Sequence, residues 1–180
     1  MAVMVTARLL TRADLDALPD DGLRHELIDG QFIMTPAPGT AHQIISDSFV
    51  EMFRPLLRGT DLRIVSAPFD VVLGPQVVEP DVLVARREDF TTRDLPVPPL
   101  LVIEVLSPST SHLDHGRKRA IYAETGIPHY WIVDPEAPAI TIYHLADGAY
   151  TQAARATGNE SLTLAHPVPI TLTPADLLRD

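Results

Sequence analysis

The sequence predicts a single α/β domain spanning residues 1–180, with a mixed central β-sheet flanked by helices. Three observations carry that reading. Leu100-Leu101-Val102-Ile103-Glu104-Val105-Leu106 is an almost unbroken apolar run, the pattern of a central strand covered on both faces. A helical segment and a second strand, His129 to Val133, follow it, which makes a strand–helix–strand unit with a right-handed crossover. Asp-Gly pairs at 29–30 and 147–148 join short β-rich runs, so antiparallel hairpins stand near both ends of the chain. A length of 180 residues suits one core, and 46% hydrophobic residues place the chain among globular proteins.

Taken in order, Thr11 caps a short helix that Pro19 ends, with Asp14 at its third position. Arg24 to Ile28 and Gln31 to Met34 form the first hairpin, and Pro36 to Thr40 is a loop. From His42 to Arg58 the residues Ile45, Phe49, Met52, Phe53, Leu56 and Leu57 recur at helical spacing, with Pro55 in the last turn and Gly59 closing it. Three strands follow, Leu62 to Ser66, Phe69 to Leu73 and Val77 to Ala85, with Gly74-Pro75 turning into the third. Arg86 to Pro99 is polar and Pro-rich and reads as a loop ordered in part. After the central strand, Ser107-Pro108-Ser109 is a stop, Ser111 to Thr125 a helix, and Gly126 its end. Ala139 to Leu145 and Tyr150 to Arg155 make the second hairpin, and Thr173 to Leu178 a final helical turn.

Composition removes several function classes. With no Cys there are no disulfides, thiolate metal sites or thiol nucleophiles. The N-terminal residues have no signal-peptide pattern and no apolar run nears the roughly 20 residues of a membrane span, so the expectation is a cytoplasmic protein without a membrane partner. The seven His show no zinc-ligand spacing. A net charge of −10 argues against a whole-surface nucleic-acid binder, while allowing a local site. Lys118 is the only lysine in a chain that otherwise uses Arg.

Glu104 is the anomaly. A carboxylate in an apolar strand costs several kcal/mol or is protonated unless something compensates it. The compensator is a metal, backbone donors, or a cation such as Arg117 or Lys118. Asp81 is a second acid in similar surroundings, and the preceding Pro80, lacking an N–H, puts it at a bulge, bend or sheet edge. Two carboxylates on neighbouring strands suit a hard divalent cation such as magnesium, which takes oxygen ligands and keeps waters. Turn capping is the plainer role for Asp81, and an i,i+4 pair with Asp114 the plainer role for Lys118.

The ordered set Pro80-Asp81, Glu104-Val105-Leu106-Ser107-Pro108-Ser109, Asp114, Lys118, Tyr122, Gly126-Ile127-Pro128 and Tyr130 to Asp134 resembles the Uma-two family of restriction-endonuclease-like proteins, within the PD-(D/E)XK nuclease superfamily. Glu26-Leu27-Ile28-Asp29-Gly30 and His42-Gln43 resemble that family's opening motifs. The resemblance implies a restriction-endonuclease-like sheet, with Asp81 and Glu104 as ligands of Mg2+ (or Mn2+), and Mg-dependent hydrolysis of DNA phosphodiester bonds. It makes Glu26 a third acidic site residue. His42, at a helix N-terminus where phosphate is attracted, is a candidate contact to the scissile region. The superfamily pattern puts a lysine two residues after the second acid, where this chain has Leu106; Lys118 on the next helix is the expected replacement. A homodimer, one site per strand, is expected by analogy, and Arg86, Arg87 and Arg93 are candidate phosphate contacts. The rival readings are a nuclease-fold interaction module without turnover and a phosphodiesterase acting on small nucleotides.

Overall fold

The computed structural model describes residues 8–19, 21–108 and 111–179. The first seven residues, read above for a leader, and Ser109 of the second motif lie outside the described residues.

Local rules account for the short elements. Helix α1 (Arg12–Asp16) starts at Thr11, whose backbone N–H donates to Asp14 Oδ2 at 2.8 Å. Strands β1 (Arg24–Ile28) and β2 (Gln31–Thr35) meet at Asp29 and Gly30, both with positive φ (51° and 71°), the two-residue turn that follows strand twist. Space also requires glycine at 30, since a Cβ there would lie 2.7 Å from Cβ of Leu9. Helix α2 (Thr40–Leu56) begins two residues before the expected His42 and buries Ile45, Phe49 and Phe53.

The long third strand expected over Val77 to Ala85 is instead two. The chain runs through β3 (Leu62–Ser66), β4 (Asp70–Leu73) and β5 (Gln76–Val78), breaks at Glu79-Pro80-Asp81, and resumes as β6 (Val82–Arg86) in a different sheet. Pro80 has no ladder donor, and the chain uses that point to change sheets. The polar stretch that follows is better ordered than expected, with a 3-10 turn at Arg87–Asp89 and β7 (Asp94–Leu95) parallel to β4.

Strand β8 (Leu101–Val105) is buried at every residue and lies between β6, antiparallel, and β9 (His129–Asp134), parallel. Its connection is α3 (Ser111–Leu113), a π-helical turn at Asp114–Lys118 and α4 (Arg119–Glu124), closed by Gly126 at φ 84°. The second hairpin, β10 (Ala139–Ala146) and β11 (Ala149–Thr157), turns at Asp147-Gly148. A small pair, β12 (Leu162–Leu164) and β13 (Ile170–Leu172), precedes a 3-10 turn at Pro174–Leu178. The pair had no sequence signal, since three-residue strands are too short to show a period.

Among the described residues the central sheet is six-stranded and mixed, in the order β11-β10-β9-β8-β6-β3, and a five-stranded sheet runs β2-β1-β5-β4-β7. Side-chain alternation divides the core into two layers. Val82, Val84, Leu101, Ile103, Val105, Trp131 and Val133 face α2, the β12–β13 pair and the C-terminal turn. Leu83, Ala85, Val102, Tyr130 and Ile132 face the small sheet and α4. Glu104 shares the parity of Val102, and Asp81 that of Leu83. Both acids therefore point into the second layer. No helix among the described residues is long and apolar enough to cross a membrane.

Trp131 packs its ring 5.8 Å from Phe53 and 6.2 Å from Phe49. Phe53→Ala is expected to cost about 3–5 kcal/mol in urea unfolding followed by the fluorescence of the single tryptophan. On β9, His129 meets His144 edge-on at 4.8 Å and stacks with His166 at 6.5 Å. Burial first, then the charge of those two neighbours, lowers the His129 imidazole to about 4. The unfolded chain, with an ordinary imidazole near about 6.5, takes up this proton first as pH falls. Stability is thus expected to be whole above pH 6.5 and to decline between about 6.5 and 4. His129→Phe should flatten that part of a melting-temperature profile.

Candidate active site

The break at Glu79-Pro80-Asp81 sets the site. Val82 pairs with Ile103 at the last rung of β6 and β8, so Asp81 and Glu104 face each other one step beyond it, on one side of the sheet. Asp81 is 2% exposed and every bond it makes is to a donor. Oδ1 accepts from Arg24 at 2.8 Å; Oδ2 accepts from the Val105 backbone N–H at 2.8 Å and meets His42 Nε2 at 2.9 Å. Burial works against its charge, but the His42 hydrogen bond and charge, Arg24 and Lys118 outweigh it and hold the carboxyl below the usual range. An ionised Asp81 only accepts, so His42 Nε2 carries the proton of that bond.

Glu104 lies deeper, at 1% exposure. Its Oε1 takes Lys118 Nζ at 3.1 Å and the Tyr122 hydroxyl at 2.6 Å. Burial pushes this carboxyl well above the ordinary range; Lys118 pulls it back, and the charges of Asp81, Asp114 and Glu26 push it further up. Lys118 is equally enclosed, 3.0 Å from Glu26 Oε1, 3.1 Å from Glu104 and 3.8 Å from Asp114. Burial opposes its charge, yet Glu104, Glu26 and Asp114 together raise it, and it stays an ammonium. Glu26 Oε1 also accepts the Glu79 backbone N–H at 2.8 Å, which ties the small sheet to the crossing point.

The five residues singled out by sequence gather in two adjoining clusters: Lys118 contacts Glu26 and Glu104, and His42 contacts Asp81, while the Val105 N–H, one residue past Glu104, donates to Asp81 and joins the two. The ion-pair alternative for Glu104 is present, through Lys118. Arg117 is elsewhere, clamping both Asp29 carboxylate oxygens at 2.6 Å. The i,i+4 pair of Lys118 with Asp114 is present, at 3.8 Å, but it is buried and shares the ammonium with Glu26 and Glu104. Of the loop arginines, Arg86 and Arg93 pair with Asp61 and Asp16.

Sequence reasoning missed two members. Arg24 shares the face of Glu26 on β1, and that alternation was the available signal. Glu79 is 8% exposed, with Oε2 buried and unbonded among the described residues, and burial pushes it up to about 7. No signal marked it, because its position depends on a change of sheet. The π-helical turn was also invisible; by inserting an extra residue in the helix it turns Asp114 and Lys118 inward together.

A divalent ion fits this chemistry in charge. Glu26, Glu79, Asp81, Glu104 and Asp114 are five buried acids, against the fixed cations Arg24 and Lys118, with His42 a third only when protonated. Both Glu104 contacts fall on one oxygen, and Oδ1 of Asp81 carries a single bond, so hard-oxygen capacity remains on each. Among the described residues no three ligand-type side chains are already gathered as a metal cage, so the ion would be held by few protein ligands and its own waters, as magnesium usually is.

Comparison with known proteins gives the family and the fold. The profile of the Uma2 family, described as "Putative restriction endonuclease", matches residues 12–177. An uncharacterized protein of Synechocystis is 32% identical over 129 residues, 69% of this chain and 67% of its own. The crystal structure of a "putative nuclease belonging to DUF820" from Anabaena variabilis superposes with a TM-score of 0.73 at 20% identity, over 94% of this chain and 97% of that one, a likeness of fold.

Removing the ammonium leaves three buried acids facing one another. Lys118→Met is expected to lower unfolding free energy by about 3–5 kcal/mol in urea titration, and the double variant Lys118→Met/Glu26→Gln to recover part of that loss.

Proposed function

The chain belongs to the Uma2 family, and from that premise we propose that it is an endonuclease that hydrolyses DNA phosphodiester bonds with Mg2+ or Mn2+. The observation that carries the reading is the surplus of buried carboxylate at Asp81 and Glu104 beside a cavity of about 420 Å³ that Asp81, Arg24 and His42 line. Asp81 and Glu104 would hold the ion, which would lower the pKa of a water and offset the charge of a phosphate oxygen. The chain's own residues hold the parts still. Arg24 and the Val105 N–H fix the Asp81 carboxylate, and Lys118 with Tyr122 fixes Glu104. His42 Nε2 bonds Asp81, and its ring lines the cavity beside that carboxylate. Lys118 is a positioning residue, since its ammonium is spent on three carboxylates. A dimer would give one site to each strand of a duplex.

That enclosure of Lys118 also favours a second reading, a nuclease fold kept for binding without turnover. Two measurements separate them. In calorimetry, Mn2+ is expected to bind the wild type and to give no heat with Asp81→Asn; retained binding by that variant removes the metal assignment. In a plasmid assay, wild type with Mg2+ or Mn2+ is expected to nick supercoiled DNA, and Asp81→Asn and Glu104→Gln to lose about 100-fold or more. A folded wild type that is inert with both metals across pH and salt selects the binding module.

A further inference from the structure

The cavity beside Asp81 has a lining that metal chemistry leaves unused. Its volume of about 420 Å³ falls within the range of small-molecule sites, about 300–1,000 Å³, which suits one nucleotide and not a length of duplex. Two loops make it apolar: Pro36, Ala37 and Pro38 after β2, and Ala67-Pro68 after β3. Such surface takes the face of an aromatic base. Glu79 lines the same cavity, with Oε2 buried and unbonded among the described residues. A buried acceptor left unmade costs free energy that a ligand's N–H would recover. Four arginines are committed to carboxylates: Arg12 pairs with Asp16 and Asp70, Arg86 with Asp61, Arg93 with Asp16 and Arg117 with Asp29, and none of the cavity's lining residues other than Arg24 is a fixed cation that could hold a second strand.

We infer that this cavity takes one unstacked nucleotide of a single-stranded or frayed DNA strand, its base against the loop prolines and its N–H edge on Glu79, with the adjoining phosphate at Asp81. The inference rests on the nuclease reading and names its substrate class. A strand already single gives up a base from its stack at least cost. In its ionised form Glu79 only accepts, and in that form it selects edges rich in donors. Guanine, with two adjacent N–H groups, matches it best; thymine, with one N–H between carbonyls, matches it worst.

The test is fluorescence anisotropy with the full chain, in calcium so that binding is read without turnover. The probes are a dye-labelled single strand of about ten nucleotides and the same sequence folded as a blunt hairpin. The single strand is expected to bind at least about tenfold tighter, and dGMP to displace it about tenfold better than dTMP. Ala37→Trp, which fills the cavity from an exposed loop, should weaken binding by about tenfold, and Glu79→Gln should erase the dGMP preference. Equal or tighter hairpin binding, no measurable binding of either DNA, or wild-type affinity in Ala37→Trp overturns the inference; a dGMP preference that survives Glu79→Gln removes Glu79 from base reading. Equal metal-dependent cleavage of both DNAs overturns it while leaving the nuclease reading intact. If nothing is cleaved the nuclease reading fails, and the binding data still decide this one.

Discussion

One ammonium group holds the centre of this protein. Lys118 Nζ joins Glu26 of the small sheet, Glu104 of the central sheet and Asp114 of its own helix, so three elements that share no ladder are pinned at one point. Moving an ammonium into a protein interior is costly unless charges and hydrogen bonds around it are well matched. Here the match is overfilled: the acids exceed the cation, and a second group, Arg24 with His42 and the Val105 N–H, is needed to keep Asp81 ionised beside them. The result is a fixed, largely buried constellation whose negative charge is only partly answered from within.

That arrangement explains how much of the site was readable from sequence. Glu104 was legible because an apolar strand makes a charge conspicuous, and Asp81 because Pro80 announces a break in pairing. The single lysine was legible for its rarity. The hairpins were legible because Asp-Gly turns are local. What depended on distant register was not. Nothing near Glu79 says that the chain changes sheets there, and nothing near Asp114 says that the helix widens into a π turn. Arg24 needed knowledge of which face of β1 turns inward. The division of thirteen strands among three sheets in the described residues, where one central sheet was foreseen, likewise comes from contacts far apart in sequence.

The acidic surface and the nuclease family membership stand in tension only if substrate is held by charge alone. Most of the arginines outside the site that the structure pairs are tied to nearby carboxylates: Arg12, Arg86, Arg93 and Arg117 all stitch loops and turns to their neighbours. Their work is architectural. Arg117, by clamping the Asp29-Gly30 turn to the connecting helix, braces β1 against the element that carries Lys118, and so helps keep Glu26 and the ammonium in register.

Because the chain contains one lysine and that lysine is sealed in the interior, a protease that cuts only after lysine has a single target, which the native fold hides. Digestion by such an enzyme would therefore run at the rate at which this particular core opens, whatever happens at frayed ends or loops. The same burial that makes the ammonium useful to the site turns it into a built-in reporter of the molecule's most cooperative unit.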